Sequence, residues 1–343
     1  MIEVGVLGAT GVVGQQFVSR LACHPWFKAT WLAASERSEG NAYKAVAPWR
    51  LATPIPESLS DTVVDACVPG RGPKVVFSGL DASVAGDIEA AFAAAGHIVV
   101  SNARNYRMDP LVPLLIPEIN ADHLSILSEQ RTAKRWPGAI VTNPNCSTVV
   151  LAMTLAPLCQ FGVRAVIVST MQAVSGAGYP GVPSLDILGN VVPFIGGEEE
   201  KIQTESLKIL GEDGGRVPHS ATISAHTTRV AVLDGHTMTV SVDLTEKPHL
   251  ADITAALRDF RGRPQELDLP SAPQPPIVVM SEPNRPQPRL DADLGGGMAV
   301  AVGRLRACPV LHAKFVAMGH NTVRGAAGAA ILNAELMKAE GLL

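Results

Sequence analysis

The sequence predicts an α/β protein in two parts, a parallel-sheet domain followed by an α+β domain with a mainly antiparallel sheet. Three observations carry this prediction. At 343 residues the chain exceeds what one hydrophobic core usually organises. Its first third alternates short apolar runs with helical stretches, the rhythm of βαβ units. Beyond Arg164, long alternating or β-branched runs replace that rhythm.

In chain order, the first strands are expected at residues 2–7, 29–34, 75–78, 98–101 and 140–143, with a helical stretch at 84–95 and an apolar helix at 149–158. The second set of strands is expected at 165–170, 221–227, 238–244, 298–304 and 313–318. A Pro-rich stretch, 264–288, interrupts them and reads as a long loop, whereas the Ala-rich segment 321–338 reads as a helix. The expected division is 1–145 for nucleotide binding, 146–319 for the second domain, and 320–343 for a C-terminal helix returning to the first. A site between the two domains follows from that layout.

Composition narrows the function. A 47% hydrophobic and 17% charged chain is an ordinary globular one. A net charge of -4 with scattered Lys and Arg argues against nucleic acid or an anionic membrane as partner, so small molecules are expected. Met1 runs straight into the first strand and no apolar stretch reaches about 18 residues, which predicts a cytoplasmic protein. Cys23, Cys67, Cys146, Cys159 and Cys308 form no CxxC pair, fit a reducing compartment, and give no metal-ligand spacing with His.

Gly8-Ala9-Thr10-Gly11-Val12-Val13-Gly14 follows the first strand and opens a helix. There, glycines permit a tight turn and bring amides to a pyrophosphate, whose charge the helix terminus stabilises. A Rossmann-type site using Gly8, Thr10, Gly11, Val12 and Val13 is therefore expected. The second strand runs into Ser35-Glu36-Arg37-Ser38. Ser35, Arg37 and Ser38 suit a 2′-phosphate and favour NADP, while Glu36 keeps NAD as the alternative.

Asn143-Pro144-Asn145-Cys146-Ser147-Thr148 lies where a strand ends and a helix begins. The positive end of the helix dipole is expected to lower the Cys146 pKa and make a nucleophile of it. The same amides, with Asn145, are expected to hold the oxyanion of an attacked carbonyl. On these residues alone a cysteine at such a position is more often a buried hydrophobe than a nucleophile.

NPNCST resembles the nucleophile motif of aspartate-β-semialdehyde dehydrogenases. The similarity continues through SNARNYRMDPLVPLLIPEIN (101–120), QAVSGAGYPGVPSLDILGNVVPFIGGEEEKIQTE (172–205), RVAVLDGHT (229–237) and NTVRGAAGAAILNAE (321–335), which look like the fungal and archaeal branch. The resemblance implies NADP-dependent reductive dephosphorylation of L-aspartyl-β-phosphate through a thioester on Cys146, a step of lysine, threonine and methionine biosynthesis. It implies that Arg107 and Lys201 hold phosphate, Glu198 the substrate ammonium and Arg229 its α-carboxylate. By the same resemblance His236 is the acid/base, Gln172 positions the carbonyl, and Gly176 and Asn321 contact the nicotinamide. It further implies a homodimer or homotetramer assembled through the second domain. Without it, Glu198 and Lys201 are an i, i+3 surface pair, and His236 is one of nine histidines. Related reductases of malonyl-CoA or N-acetyl-γ-glutamyl phosphate are the alternatives, with a non-catalytic NADP-binding protein behind them. Malonyl-CoA, however, carries no α-ammonium for Glu198 to bind.

Overall fold

Apolar runs too short to be helices become strands when both faces can be covered, and the first sheet is built this way. The computed structural model describes residues 1–343. Strands β1 (Ile2–Leu7), β2 (Phe27–Ala34), β3 (Asp65–Ala66), β4 (Val75–Ser78), β5 (Ile98–Ser101) and β6 (Ala139–Thr142) form a sheet of order β3-β2-β1-β4-β5-β6, parallel throughout. Strands β4, β5 and β6 are buried along their whole length. Strand order reverses beside β1, which opens a crevice at its C-terminal end.

The second sheet comprises β7 (Val163–Gln172), β8 (Thr222–Arg229), β9 (His236–Leu244), β10 (Ile277–Val279), β11 (Val300–Ala307) and β12 (Ala313–Gly319), ordered β10-β11-β12-β9-β7-β8. Its inner pairs are antiparallel, and both edge pairs, β10 with β11 and β7 with β8, are parallel. The Pro-rich stretch is therefore not one loop. It opens with the helical turn Arg263–Glu266 and contains β10. Three β-branched residues suffice for an edge strand, and the flanking prolines fall outside the ladder, where a missing N–H costs nothing.

Register delivers the chemistry to one end of this sheet. Pairing of β7 with β8 sets Gln172 beside Arg229, and pairing of β12 with β9 sets Gly319 beside His236. The helix Cys146–Leu155 connects the sheets, and every residue from Ser147 to Leu155 is buried. Apolar on all sides, it forms the centre of a core that includes Val166, Val240 and Phe315.

The C-terminal segment is not one regular helix. It starts with a π turn, Val323–Ala327, in which Ala326 leaves helical geometry (φ -154°, ψ -107°), and continues as the helix Gly328–Ala339. A π turn adds a residue to the helical ring and re-aims the backbone. Arg324 within it donates to Glu118 through both terminal nitrogens, at 2.6 and 2.8 Å, with both side chains fully buried. Removing one partner of such a pair costs about 3–5 kcal/mol. Past the turn, Ala327, Ala330, Ile331 and Ala334 pack into the core of Val4, Val6 and Phe17, closing the first sheet with the end of the chain. No helix is long and apolar enough to cross a membrane.

Candidate active site

At the nucleotide end the backbone sets the shape. Gly8 has φ +72°, a conformation that L side chains rarely adopt, and a Cβ on Gly14 would lie 2.2 Å from the Gly8 carbonyl oxygen. Gly11 caps the helix Val12–Leu21 without a side-chain hydrogen bond, leaving its first amides available to an anion. A cleft of about 610 Å³ opens here, lined by Gly8, Thr10, Gly11, Val12, Val13 and Ser35. Gly178 and Tyr179 line it from the other side.

Arg37 and Ser38 are not on the wall of this cleft: Arg37 is exposed, and Ser38 is buried in the turn it closes onto the Ser35 carbonyl. The cation on the wall is Arg50, whose guanidinium lies 4.1 Å from the Tyr179 ring centre. Nothing in the sequence marks Arg50, which reaches the cleft from outside the motif and the strand that follows it.

At the other end side chains set the shape. Asn145 caps the cysteine helix, its Oδ1 accepting from the amides of Ser147 (2.8 Å) and Thr148 (3.2 Å). Its Nδ2 donates to Glu198 at 2.7 Å. The Ser147 and Thr148 amides are thus committed to the cap, while Asn145 Nδ2 keeps a second hydrogen beyond the one given to Glu198.

Cys146 Sγ lies 3.1 Å from His236 Nε2. His236 is fully buried, and its Nδ1 accepts from the Ala173 amide at 3.1 Å, so the neutral ring carries its proton on Nε2, facing the sulfur. The carbonyl of Ala173 accepts from Arg229 Nη1 at 2.8 Å, so one residue orients both groups. A Cβ on Gly176 would sit 2.9 Å from His236 Cε1 and 3.0 Å from Arg229 Nη1, so glycine keeps that approach open. Gln172 donates to Ser147 Oγ at 2.6 Å. Asn321 donates to Ser175 Oγ at 2.7 Å and accepts from the Gly235 amide at 2.9 Å, tying together the loops that present Gly176 and His236.

The charged residues gather around this pair. Arg107 donates to Glu205 at 3.0 Å and to the Asn102 carbonyl at 2.7 Å, and its buried Nε has no partner. Lys201 Nζ lies 3.0 Å from Glu198. Burial, then the charge of Glu198, push the Cys146 thiol up to about 12, against the pull of Arg107, Arg229 and Lys201. The net direction is upward, opposite to the lowering expected from the helix terminus. Burial, with Arg229 and His320 adding, pushes His236 down to about 3, so the resting pair is neutral.

Comparison with known proteins shows the family. Residues 3–127 match the model of the semialdehyde dehydrogenase NAD binding domain, and residues 155–324 that of the semialdehyde dehydrogenase dimerisation domain. The aspartate-semialdehyde dehydrogenase of Methanothermobacter thermautotrophicus is 53% identical over 98% of this chain and 99% of its own. This chain belongs to the aspartate-semialdehyde dehydrogenase family. The Cryptococcus neoformans member of that family is 50% identical, covering 100% of this chain and 98% of its own. The solved structure of the Candida albicans aspartate-semialdehyde dehydrogenase with NADP superposes with a TM-score of 0.92, at 43% identity and full coverage of both chains.

Three features of the site had no reading in the sequence: Arg50, Glu205, and the π turn. The turn places Gly325 so close that a Cβ there would lie 2.5 Å from that of Cys146. Glu205 sits seven residues beyond Glu198, a helical repeat that was visible without showing what it faced.

Proposed function

We propose that this protein catalyses NADP-dependent reductive dephosphorylation of L-aspartyl-β-phosphate to L-aspartate-β-semialdehyde through a thioester on Cys146. The observation that carries the reading is a thiol 3.1 Å from an imidazole, ringed by three cations and one carboxylate. That set complements a substrate bearing phosphate, α-carboxylate and α-ammonium. Glu198 has no use in a malonyl-CoA site.

Cys146 Sγ attacks the β-carbonyl, the C–S bond forms, the C–O bond to phosphate breaks, and the proton given up by the thiol leaves with the phosphate as HPO4²⁻. Arg107 and Lys201 neutralise the departing phosphate. Glu198 exchanges Lys201 for the substrate ammonium, and Arg229 pairs with the α-carboxylate. The ammonium also cancels the negative charge that holds the thiol protonated, so substrate binding itself favours the thiolate. The glycine-lined cleft and its open helix terminus fit a dinucleotide phosphate, with Gly176 and Asn321 at the nicotinamide end, and Arg50 and Ser35 support NADP over NAD. The nicotinamide, when bound, supplies hydride to the thioester. His236 Nε2–H then donates to the developing oxyanion, Gln172 steadies Ser147 beneath it, and collapse returns the thiolate as the aldehyde leaves.

The division into a nucleotide domain (1–145), a catalytic and dimerisation domain (146–319) and a returning C-terminal segment (320–343) belongs to the same proposal. So do a cytoplasmic location and a homodimer or homotetramer. Ile167 and Met171 stand 45% and 37% exposed on the uncovered face of β7, which supports assembly through this sheet. The test is purified protein with aspartate-β-semialdehyde, phosphate, and NADP or NAD, read as absorbance of reduced cofactor. Activity with NADP is expected. A flat trace, with turnover of malonyl-CoA instead, would sink the reading.

A further inference from the structure

The helix Glu198–Ile209 carries Glu198, Lys201, Glu205 and Lys208 at spacings of three, four and three, which puts all four on one face. Glu198 and Lys201 have roles above. The other pair is more deeply buried, with Glu205 at 2% and Lys208 at 3% exposure. Lys208 Nζ donates to the carbonyls of Arg107 (2.8 Å), Asp109 (2.7 Å) and Val112 (3.0 Å), fastening the segment that carries Arg107 to this helix.

Glu205 makes the more informative contacts. One carboxylate oxygen accepts from Arg107 Nη1 at 3.0 Å, and the other accepts from the backbone amide of Asn145 at 2.6 Å. Asn145 directly precedes Cys146, so one carboxylate joins the guanidinium assigned to phosphate and the backbone that presents the nucleophile. Each donor demands an acceptor, and a carboxylate has only acceptors to offer. No neutral side chain of the same shape serves both: the amide of glutamine turns an N–H toward either Arg107 or Asn145.

We propose that Glu205 is a positioning residue that holds Arg107 in register with Cys146, so that the phosphate arrives at the distance the sulfur requires. The proposal rests on the reading of Arg107 as a phosphate ligand. It gives Glu205 an effect on phosphate recognition although Arg107 stands between the two.

The test is a double-mutant cycle on the whole enzyme in the aldehyde-oxidising direction, measuring KM for inorganic phosphate, KM for the aldehyde, and kcat. Arg107→Lys is expected to raise the phosphate KM by about tenfold, and Glu205→Gln by about the same factor with a matching fall in kcat. The double variant is expected to add less than about threefold to either single one, because both changes break one linkage. Aldehyde KM and NADP affinity should stay within about twofold of the parent. An unchanged phosphate KM in Glu205→Gln, beside a raised one in Arg107→Lys, overturns the proposal and leaves Arg107 in place. Multiplying effects, near a hundredfold in the double variant, overturn it too. No change in Arg107→Lys defeats the phosphate reading and this inference together. Should Glu205→Gln fold poorly by thermal melting, Glu205→Asp keeps the charge but is one methylene short, and the same pattern is expected of it.

Discussion

The two ends of the cleft are made differently. At the nucleotide end recognition is written in backbone: Gly8 and Gly14 remove side chains so that a turn, a helix terminus and a phosphate can meet. At the acyl end it is written in side chains brought from distant segments and held by their neighbours: Glu205 fixes Arg107, the Ala173 backbone orients His236 and Arg229, and Glu198 keeps Lys201 until the substrate ammonium comes. A backbone site needs only local sequence. A side-chain site needs the fold finished first, and it stores its specificity in contacts that must be exchanged.

The sharpest way to break that comparison is to damage one end and look at the other. Cys146→Ser should lower kcat by at least about 10⁴-fold while leaving NADP binding within about twofold, as measured by turnover and by fluorescence titration. Near-normal turnover would end the covalent route. Gly176→Ala crowds His236 and Arg229 from above, with contacts of 2.9–3.0 Å, and is expected to cost about 10²-fold in kcat with little change in melting temperature. Arg50→Ala acts at the nucleotide end alone. It should raise KM for NADP by about tenfold, leave NAD nearly unaffected, and spare kcat. The smallest effect expected is on the thiol itself. Glu198 adds to burial in holding the Cys146 thiol up, so Glu198→Gln should shift it down, seen as iodoacetamide alkylation extending to lower pH. Alkylation moving to higher pH would reverse the assigned sign.

The same contrast explains what the sequence made legible. Five of the six parallel strands, the glycine loop and the strand-to-helix position of Cys146 depend on neighbours along the chain and were readable, whereas the two-residue edge strand β3 was not. Strand β10 was hidden because prolines on both sides mimic a loop, and the π turn because Ala-rich sequence shows helical propensity but not one extra residue in a ring. The thiol pKa was misjudged for a related reason. The helix terminus is local, whereas the burial and the Glu198 charge that raise the thiol pKa come from the closed interior and from 52 residues away. Arg37 and Ser38 were expected in the cleft from position alone, and a turn carries them off it.

Gly325 presses on Cys146, and the residues just beyond it complete the core beneath β1. One short stretch of backbone therefore serves both halves of the reaction, and a change that shifts it disturbs the seat of the sulfur and the floor of the nucleotide sheet together.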